Sequence, residues 1–412
     1  MLIVPEPDLL GVSTVRIDDP GPLLDLLPDT GGVAWTTADE GLVGWGEVAR
    51  LELTGPDRFV RAQAWWDALV TTTRVADEVG VPGSGLVAFG SFAFDGEDAT
   101  SFLIVPSVVV GHRDGQWWLT TVGGASPVLA AQTPPRAPEG VSFADGARAS
   151  TEWMGVVAEA VRRIDAGEVD KVVLARDVEF CASAPVDVRW PLRRLAESYP
   201  GCWTFAVDGL IGATPEMLVR LRAGVATSRV LAGTLRVSGD ANKDLRRSKD
   251  LSRSIKDIEE HGYGVRSVAD ALGLHCRDVD VPSNPFVLEL PNVMHLASDV
   301  TGTVTDGATS LELVASLHPS AAVCGTPTPV ALEIIREIEG LARGRYAGPV
   351  GWIDATGDGE WGIALRCGEI DPQDPSRIRL FAGCGIVAGS EPFRELAESN
   401  AKLVPMRDAL GS

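Results

Sequence analysis

Short apolar runs alternate with Gly, Pro and Asp turn signals through roughly the first 130 residues of the chain. Examples are Gly85-Leu86-Val87-Ala88-Phe89-Gly90, Ser101-Phe102-Leu103-Ile104-Val105-Pro106 and Trp117-Trp118-Leu119-Thr120-Thr121-Val122. Runs this short and this closely spaced read as strands. Strands joined by short turns must pair antiparallel, because a parallel crossover needs a dozen residues or more. The tandem tryptophans Trp65-Trp66 and Trp117-Trp118 are read as core or sheet-face residues rather than a ligand cage. Gln132-Thr133-Pro134-Pro135-Arg136-Ala137-Pro138-Glu139-Gly140 is a surface connection. It separates a strand-rich N-terminal half, 1–140, from a longer segment, 145–412.

Beyond that connection the periodicity changes. Trp153, Val156, Val157, Ala160, Val161 and Ile164 form the apolar stripe of an amphipathic helix that Gly167 would end. Lys-Val-Val-Leu-Ala-Arg (171–176) then reads as a strand. Further helices are expected over 254–272, 309–317, 329–341 and 392–410. Strands or turns are expected at 217–219, 349–353, 361–366 and 378–382. Helices and strands in this mixture give an α+β layered domain.

Charge and cysteine content narrow the function. With 36 Lys+Arg against 57 Asp+Glu the net charge is −21, so nucleic acid and anionic membrane surfaces are excluded as partners. The stretches free of charged residues, 116–135 and 313–332, are too polar to span a bilayer. The start, Met1-Leu2-Ile3-Val4-Pro5, lacks the basic region of a signal peptide, and a cytoplasmic location is expected. Six scattered cysteines with no Cys-x-x-Cys fit free thiols in a reducing compartment.

Two carboxylate pairs stand at i, i+3 on expected helices: Asp257 with Glu260, and Glu395 with Glu398, with Lys402 on the latter face. Each alone is what a solvated helix face looks like. Brought together, they would make an oxygen-rich site suited to Mg²⁺. Lys171 heads an apolar strand, where burial makes an amine a candidate base. Glu216 follows Ile211-Gly212-Ala213-Thr214-Pro215, a turn able to aim one carboxyl into a cleft as a general acid. Gly233-Thr234 and Gly383-Cys384-Gly385 are turns at which backbone N–H groups could approach an anion. Gly383-x-Gly385-x-x-Ala388 matches a relaxed dinucleotide fingerprint, but Gly389-Ser390-Glu391-Pro392 intervenes before the helix, which argues against it. His295 and His318 sit in motif-like surroundings. Gly-x-Ser-x-Gly, a Walker loop and His-Glu-x-x-His are all missing, which disfavours common hydrolase, NTPase and zinc-protease classes.

An ordered series ties these pieces together: Lys-Val-Val-Leu-Ala-Arg (171–176), Ala-Thr-Pro-Glu-Met-Leu (213–218), Leu-Ala-Gly-Thr (231–234), Lys-Asp-Ile-Glu-Glu-His (256–261), Met-His-Leu (294–296), Leu-His-Pro-Ser-Ala-Ala-Val-Cys-Gly-Thr-Pro (317–327), Ala-Leu-Arg-Cys (364–367) and Ala-Gly-Cys-Gly-Ile-Val (382–387) with Ser-Glu-Pro (390–392). It resembles the chorismate-utilising enzymes, which include isochorismate, salicylate, anthranilate and aminodeoxychorismate synthases. Gly-Pro-Val-Gly-Trp-Ile-Asp-Ala-Thr-Gly-Asp-Gly-Glu-Trp (348–361) and Ala322 look most like the isochorismate synthases, with salicylate synthase the alternative. Leu235-Arg236-Val237-Ser238 departs from the Arg-x-Arg-Gly that often follows Gly-Thr.

The resemblance implies one domain over 1–412, with large antiparallel β-sheets packed face to face, helices outside, and the chorismate-binding core in 145–412. It implies a Mg²⁺-dependent, reversible conversion of chorismate to isochorismate, a precursor in menaquinone and siderophore biosynthesis. It assigns Lys171 as base, Glu216 as acid and His295 as polariser. Gly233, Thr234, Ala322, Tyr346, Arg366, Gly383, Gly385 and Lys402 would contact substrate. Glu260 and Glu398 would hold the metal, with Asp257 and Glu395 in support. No glutaminase subunit is expected, and the state is a monomer or weak dimer.

Overall fold

The structure, a computed structural model, describes residues 10–411 except 39, 98, 130–131, 239, 252–254, 290 and 292; the side chains of 232–234, 236, 241, 255–257, 259 and 260 also lie outside the description. Twenty-one strands among the described residues join into one sheet, almost entirely antiparallel. The parallel pairing of Leu10–Ile17 with Thr73–Asp77 is the exception.

The sheet branches at the long strand Ser101–Arg113. Along one edge it pairs with Gly41–Leu53, and its other edge is shared by Gln116–Val122 and Val87–Ser91. From Gly41–Leu53 one wing runs through Gly32–Thr36, Trp203–Val207, Leu210–Thr214, Cys367–Ile370 and Arg377–Ile386 to Lys171–Cys181. From Val87–Ser91 the other runs through Pro349–Asp354, Gly359–Ile363, Met217–Arg222 and Val225–Arg236 to Val293–Val304. The wings curl over each other, with Trp203–Val207 packed across Val87–Ser91 and Pro349–Asp354. Between them lie Trp35, Phe89, Phe92, Phe205, Trp352 and Trp361, all nearly inaccessible. Burying aromatics of this size is the main favourable term in such a fold. Strands from 1–140 pair directly with strands from 145–412.

The expected amphipathic helix runs Ser150–Asp165 and buries Trp153, Val156, Val157, Ala160 and Ile164; Gly167 follows in the left-handed region at φ +75°. Helices also occupy Ile255–Leu272, Ser310–Leu317, Thr328–Ile338 and Pro392–Leu410. Thr309 caps Ser310–Leu317, its hydroxyl accepting the Glu312 amide. The helix Pro392–Leu410 packs against the strand Arg377–Ile386, which brings its acidic side to the sheet. Trp65, Trp66 and Trp118 are buried and Trp117 is half-buried. All six cysteines are free thiols. Among the described residues no helix is long and apolar enough to cross a membrane.

Candidate active site

Where the two terminal strands and the last helix meet, a cavity of about 210 Å³ opens. Alternate residues of a strand share a face. Lys171 and Val173 accordingly line the cavity, whereas Val172 and Leu174 point into the core. The neighbouring strand contributes Gly383 and Gly385, paired with Ala175 and Val173. A Cβ on Gly383 would lie 2.8 Å from the Leu174 carbonyl oxygen and 3.1 Å from the Tyr346 hydroxyl, so glycine is what keeps this wall open.

The helix Pro392–Leu410 adds Glu395, Glu398 and Lys402, at the spacing that puts them on one side. Lys402 Nζ lies 2.7 Å from Glu398 and donates to the Gly383 carbonyl at 2.9 Å. Burial alone would lower the Lys402 ammonium, but Glu398 beside it holds it above its usual range. Burial likewise favours neutral Glu398, and Lys402 outweighs it, holding that carboxyl down. The Cys384 Sγ and one oxygen from each of Glu395 and Glu398 lie within 4.8 Å of one another. The thiol donates to the Glu395 carbonyl, and burial pushes it up, so it stays protonated.

Glu216 enters from the turn between Leu210–Thr214 and Met217–Arg222, its amide bonded to Thr214 Oγ1. Its side chain is buried, and burial pushes the carboxyl up to about 7 even though Arg366, Lys171 and Lys402 pull the other way. Arg366 follows the strand Gly359–Ile363 in the left-handed region at φ +45°, and its carbonyl accepts the Ala213 amide. Gly212 permits that approach, since a Cβ there would lie 2.7 Å from the Arg366 carbonyl oxygen. Tyr346 stacks on Phe381 with ring centroids 5.1 Å apart, its hydroxyl pushed up by burial. His295, on Val293–Val304, and Ala322 complete the lining.

Eleven of the expected residues thus share one cavity: Lys171, Glu216, His295, Ala322, Tyr346, Arg366, Gly383, Gly385, Glu395, Glu398 and Lys402. Gly233 and Thr234 lie on the strand Val225–Arg236, where Thr234 pairs with His295. Asp257 and Glu260 fall on the helix Ile255–Leu272, and the side chains of all four lie outside the described residues. The Gly383–Ala388 stretch is strand running into turn, with no helix until Pro392, so it does not have the dinucleotide-binding geometry. His318 is a buried structural group: it bonds the Phe94 carbonyl at 2.9 Å, and burial lowers it to about 3. Sequence reasoning missed Arg343, which also lines the cavity, and the closeness of Cys384 to the two carboxylates.

A family profile described as "Chorismate binding enzyme" matches residues 33–411. The chain belongs to the chorismate-binding enzyme family. That match takes in every residue lining the cavity. Among relatives of this chorismate-binding enzyme, the isochorismate synthase DhbC of Bacillus subtilis (strain 168) is 40% identical over 272 residues, 63% of this chain and 68% of the relative. A salicylate biosynthesis isochorismate synthase of Pseudomonas aeruginosa is 32% identical over 411 residues, 92% of this chain and 84% of that one. Of solved structures, a putative 2,3-dihydroxybenzoate-specific isochorismate synthase, DhbC, from Bacillus anthracis superposes with a TM-score of 0.78 at 30% identity, covering 94% of this chain and 98% of the other.

Proposed function

We propose that this enzyme is an isochorismate synthase, converting chorismate to isochorismate by attack of water at C2 and loss of the C4 hydroxyl. The observation that carries the reading is Glu216: a buried carboxyl that keeps its proton to about pH 7, in the same cavity as the amine of Lys171. An acid on a turn and a base on a separate strand, both facing one cavity, are what a displacement with simultaneous proton uptake and release requires. Lys171 Nζ takes a proton from the attacking water, and Glu216 gives its proton to the departing C4 oxygen, which leaves as water. Substrate and product are isomeric allylic alcohols of similar energy, so the reaction is reversible.

Chorismate is a dicarboxylate, and a chain of net charge −21 repels it unless local cations intervene. The guanidinium fork of Arg366, with Tyr346 and the Gly385 amide, binds the enolpyruvyl carboxylate. Gly233, Thr234 and Gly383 line the ring, His295 polarises the region of the ring carboxylate, and Lys402 orients Glu398. Ala322 leaves no hydroxyl beside the ring, in keeping with a reaction that stops at isochorismate.

Mg²⁺ fits the donor set. Glu395 and Glu398 offer hard carboxylate oxygens at the cavity, and the Cys384 thiol is kept protonated beside them. Glu260 and Glu398 would hold the ion, with Asp257 and Glu395 in support. Bound there, Mg²⁺ would neutralise the ring carboxylate of the substrate. We place the enzyme in the cytoplasm as a monomer or weak dimer acting without a glutaminase subunit.

The test is incubation of the protein with chorismate, with and without a chelator, and separation of products by chromatography with mass and NMR detection. The expected result is an equilibrating pool of isochorismate that the chelator abolishes. Salicylate plus pyruvate would instead assign the lyase reaction, and the absence of any turnover would overturn the reading.

A further inference from the structure

The strand carrying Lys171 has a gap along one edge. Its inner edge pairs continuously with Arg377–Ile386. On its outer edge, Gly325–Thr326 pairs only with Lys171 and Val172, and Ser142–Asp145 pairs only from Val178 onward. The outward groups of Val173 and Ala175 fall between, and a buried strand edge must find partners for them. Side chains supply most of these. Arg343 Nη2 donates to the Val173 carbonyl at 2.7 Å, the Ala175 amide donates to Glu339 Oε2 at 2.7 Å, and Trp153 Nε1 donates to the Ala175 carbonyl at 2.8 Å.

Glu339 and Arg343 are themselves joined as a two-pronged ion pair, 2.7 Å from Nε to Oε1 and 2.6 Å from Nη2 to Oε2, and both are almost wholly inaccessible. Arg343 Nη1 also donates to the Val323 carbonyl at 3.0 Å, which ties in the segment carrying Ala322. The Phe94 ring lies 4.2 Å from the guanidinium carbon. One rigid fork therefore spans the base-bearing strand, the Ala322–Val323 segment and the end of the helix Thr328–Ile338.

We propose that the Glu339–Arg343 pair is a positioning unit for catalysis, standing in for the missing strand and fixing Lys171 against Ala322–Val323. The inference rests on the reading of Lys171 as the base. A buried ion pair adds little net stability over a well-packed apolar pair, whereas its geometry sets backbone register. Misplacing a reacting group by about 1 Å costs about 100-fold in rate.

Arg343→Met alone would strand the Glu339 carboxylate and unfold the chain. The decisive variant is Glu339→Leu/Arg343→Met, with Arg343→Lys beside it to keep the charge but lose the fork. The double variant is expected to fold, to keep KM for chorismate within about 3-fold because Arg366 is untouched, and to lose about 100-fold in kcat. Arg343→Lys should lose about 10-fold in kcat with KM likewise held. In both, hydrogen exchange at the Ala175 amide should speed up. A folded double variant with the parent kcat overturns the proposal, as does a loss of kcat no larger than the fraction of unfolded protein accounts for. Should the double variant not fold, the same kcat-against-KM split in Arg343→Lys decides. Exchange at Ala175 needs no turnover. A parent enzyme that makes no isochorismate would therefore sink the functional reading, whereas unchanged exchange in Arg343→Lys would sink the positioning unit.

Discussion

Glu216, in the turn that joins the two wings, and Glu360, on the strand Gly359–Ile363, are both buried carboxyls, and they end in opposite protonation states. At Glu360, burial favours the neutral acid, but the guanidiniums of Arg220, Arg113 and Arg222 more than offset it and hold the carboxyl below its usual range. The contacts are direct: Arg222 at 2.7 Å, Arg113 at 3.1 Å, Arg220 at 3.2 Å, and the Trp35 indole donating at 3.0 Å. Three cations also surround Glu216, but they act on it through space, and burial prevails. Charge in contact keeps a buried acid ionised, and charge across a cavity does not. The first arrangement builds a scaffold, and the second leaves a proton available for chemistry.

The strongest way to break this contrast is at the cavity. Glu216→Gln keeps shape and removes the proton, so kcat for isochorismate formation should fall about 10²- to 10⁴-fold, with Lys171→Ala comparable. Both proteins should melt as cooperatively as the parent. Product assays with circular dichroism check this, and near-parental turnover in either variant would remove the assigned role. Next comes the scaffold. Glu360→Ala leaves three guanidiniums without their central counter-charge and should cost about 3–5 kcal/mol in denaturant unfolding. Turnover per folded molecule should not change, because Glu360 does not line the cavity.

The contrast also has a pH signature. A carboxyl raised from 4.5 to about 7 binds its proton more tightly folded than unfolded, so its contribution to stability falls as pH rises from 4.5 through 7. Between pH 5 and pH 8 the parent should lose about 3 kcal/mol relative to Glu216→Gln, at 1.36 kcal/mol per unit. The parent's kcat should decline above about pH 7 as the acid ionises. Glu360, depressed rather than raised, is ionised in both states over this range and gives no slope. Unfolding curves at the two pH values test it, and parallel losses in parent and Glu216→Gln would mean that Glu216 is not the raised group.

What the sequence made legible follows the same division. Lys171, Glu216, Gly383 and Glu398 stand in local patterns whose period fixes the face they share, and the ordered motif series placed them in one site. The helix Pro392–Leu410 has the bounds its pattern implied. Less visible were the helices Arg58–Thr71, Arg189–Ser198 and Ala241–Leu251, where charged or polar residues such as Arg58, Gln63 and Arg189 are buried by tertiary contacts and interrupt the apolar stripe. The Glu360 cluster and the Glu339–Arg343 fork were hidden for a related reason. The partners of Glu360 come from three separate strands, and those of Arg343 include carbonyls 170 and 20 residues away. No local period records a contact of that kind. The branching of the sheet at Ser101–Arg113 is also a property of long-range register, which short runs cannot specify.

Asp354 provides the finest discrimination, since it falls between the two glutamates. It is buried with no cation in contact among the described residues, yet three neutral donors serve it: the Thr356 amide and hydroxyl reach Oδ1 at 2.9 and 2.6 Å, and the Gly83 amide reaches Oδ2 at 2.9 Å. Burial raises it from 3.8 to about 6, with those donors pulling it back. Neutral donors thus recover part of what guanidiniums recover at Glu360. Asp354→Asn keeps the Oδ1 acceptor for Thr356 but turns an NH₂ toward the Gly83 amide, leaving a donor unsatisfied at a cost of about 1–3 kcal/mol at pH 5. As pH rises the parent must ionise a buried acid and the variant need not. The gap should therefore narrow by about 1 kcal/mol between pH 5 and pH 8, nearly all of it over the one unit between pH 5 and the folded value. Paired unfolding curves measure that narrowing, and a gap independent of pH would show that three neutral donors hold a buried carboxylate as firmly as three guanidiniums do.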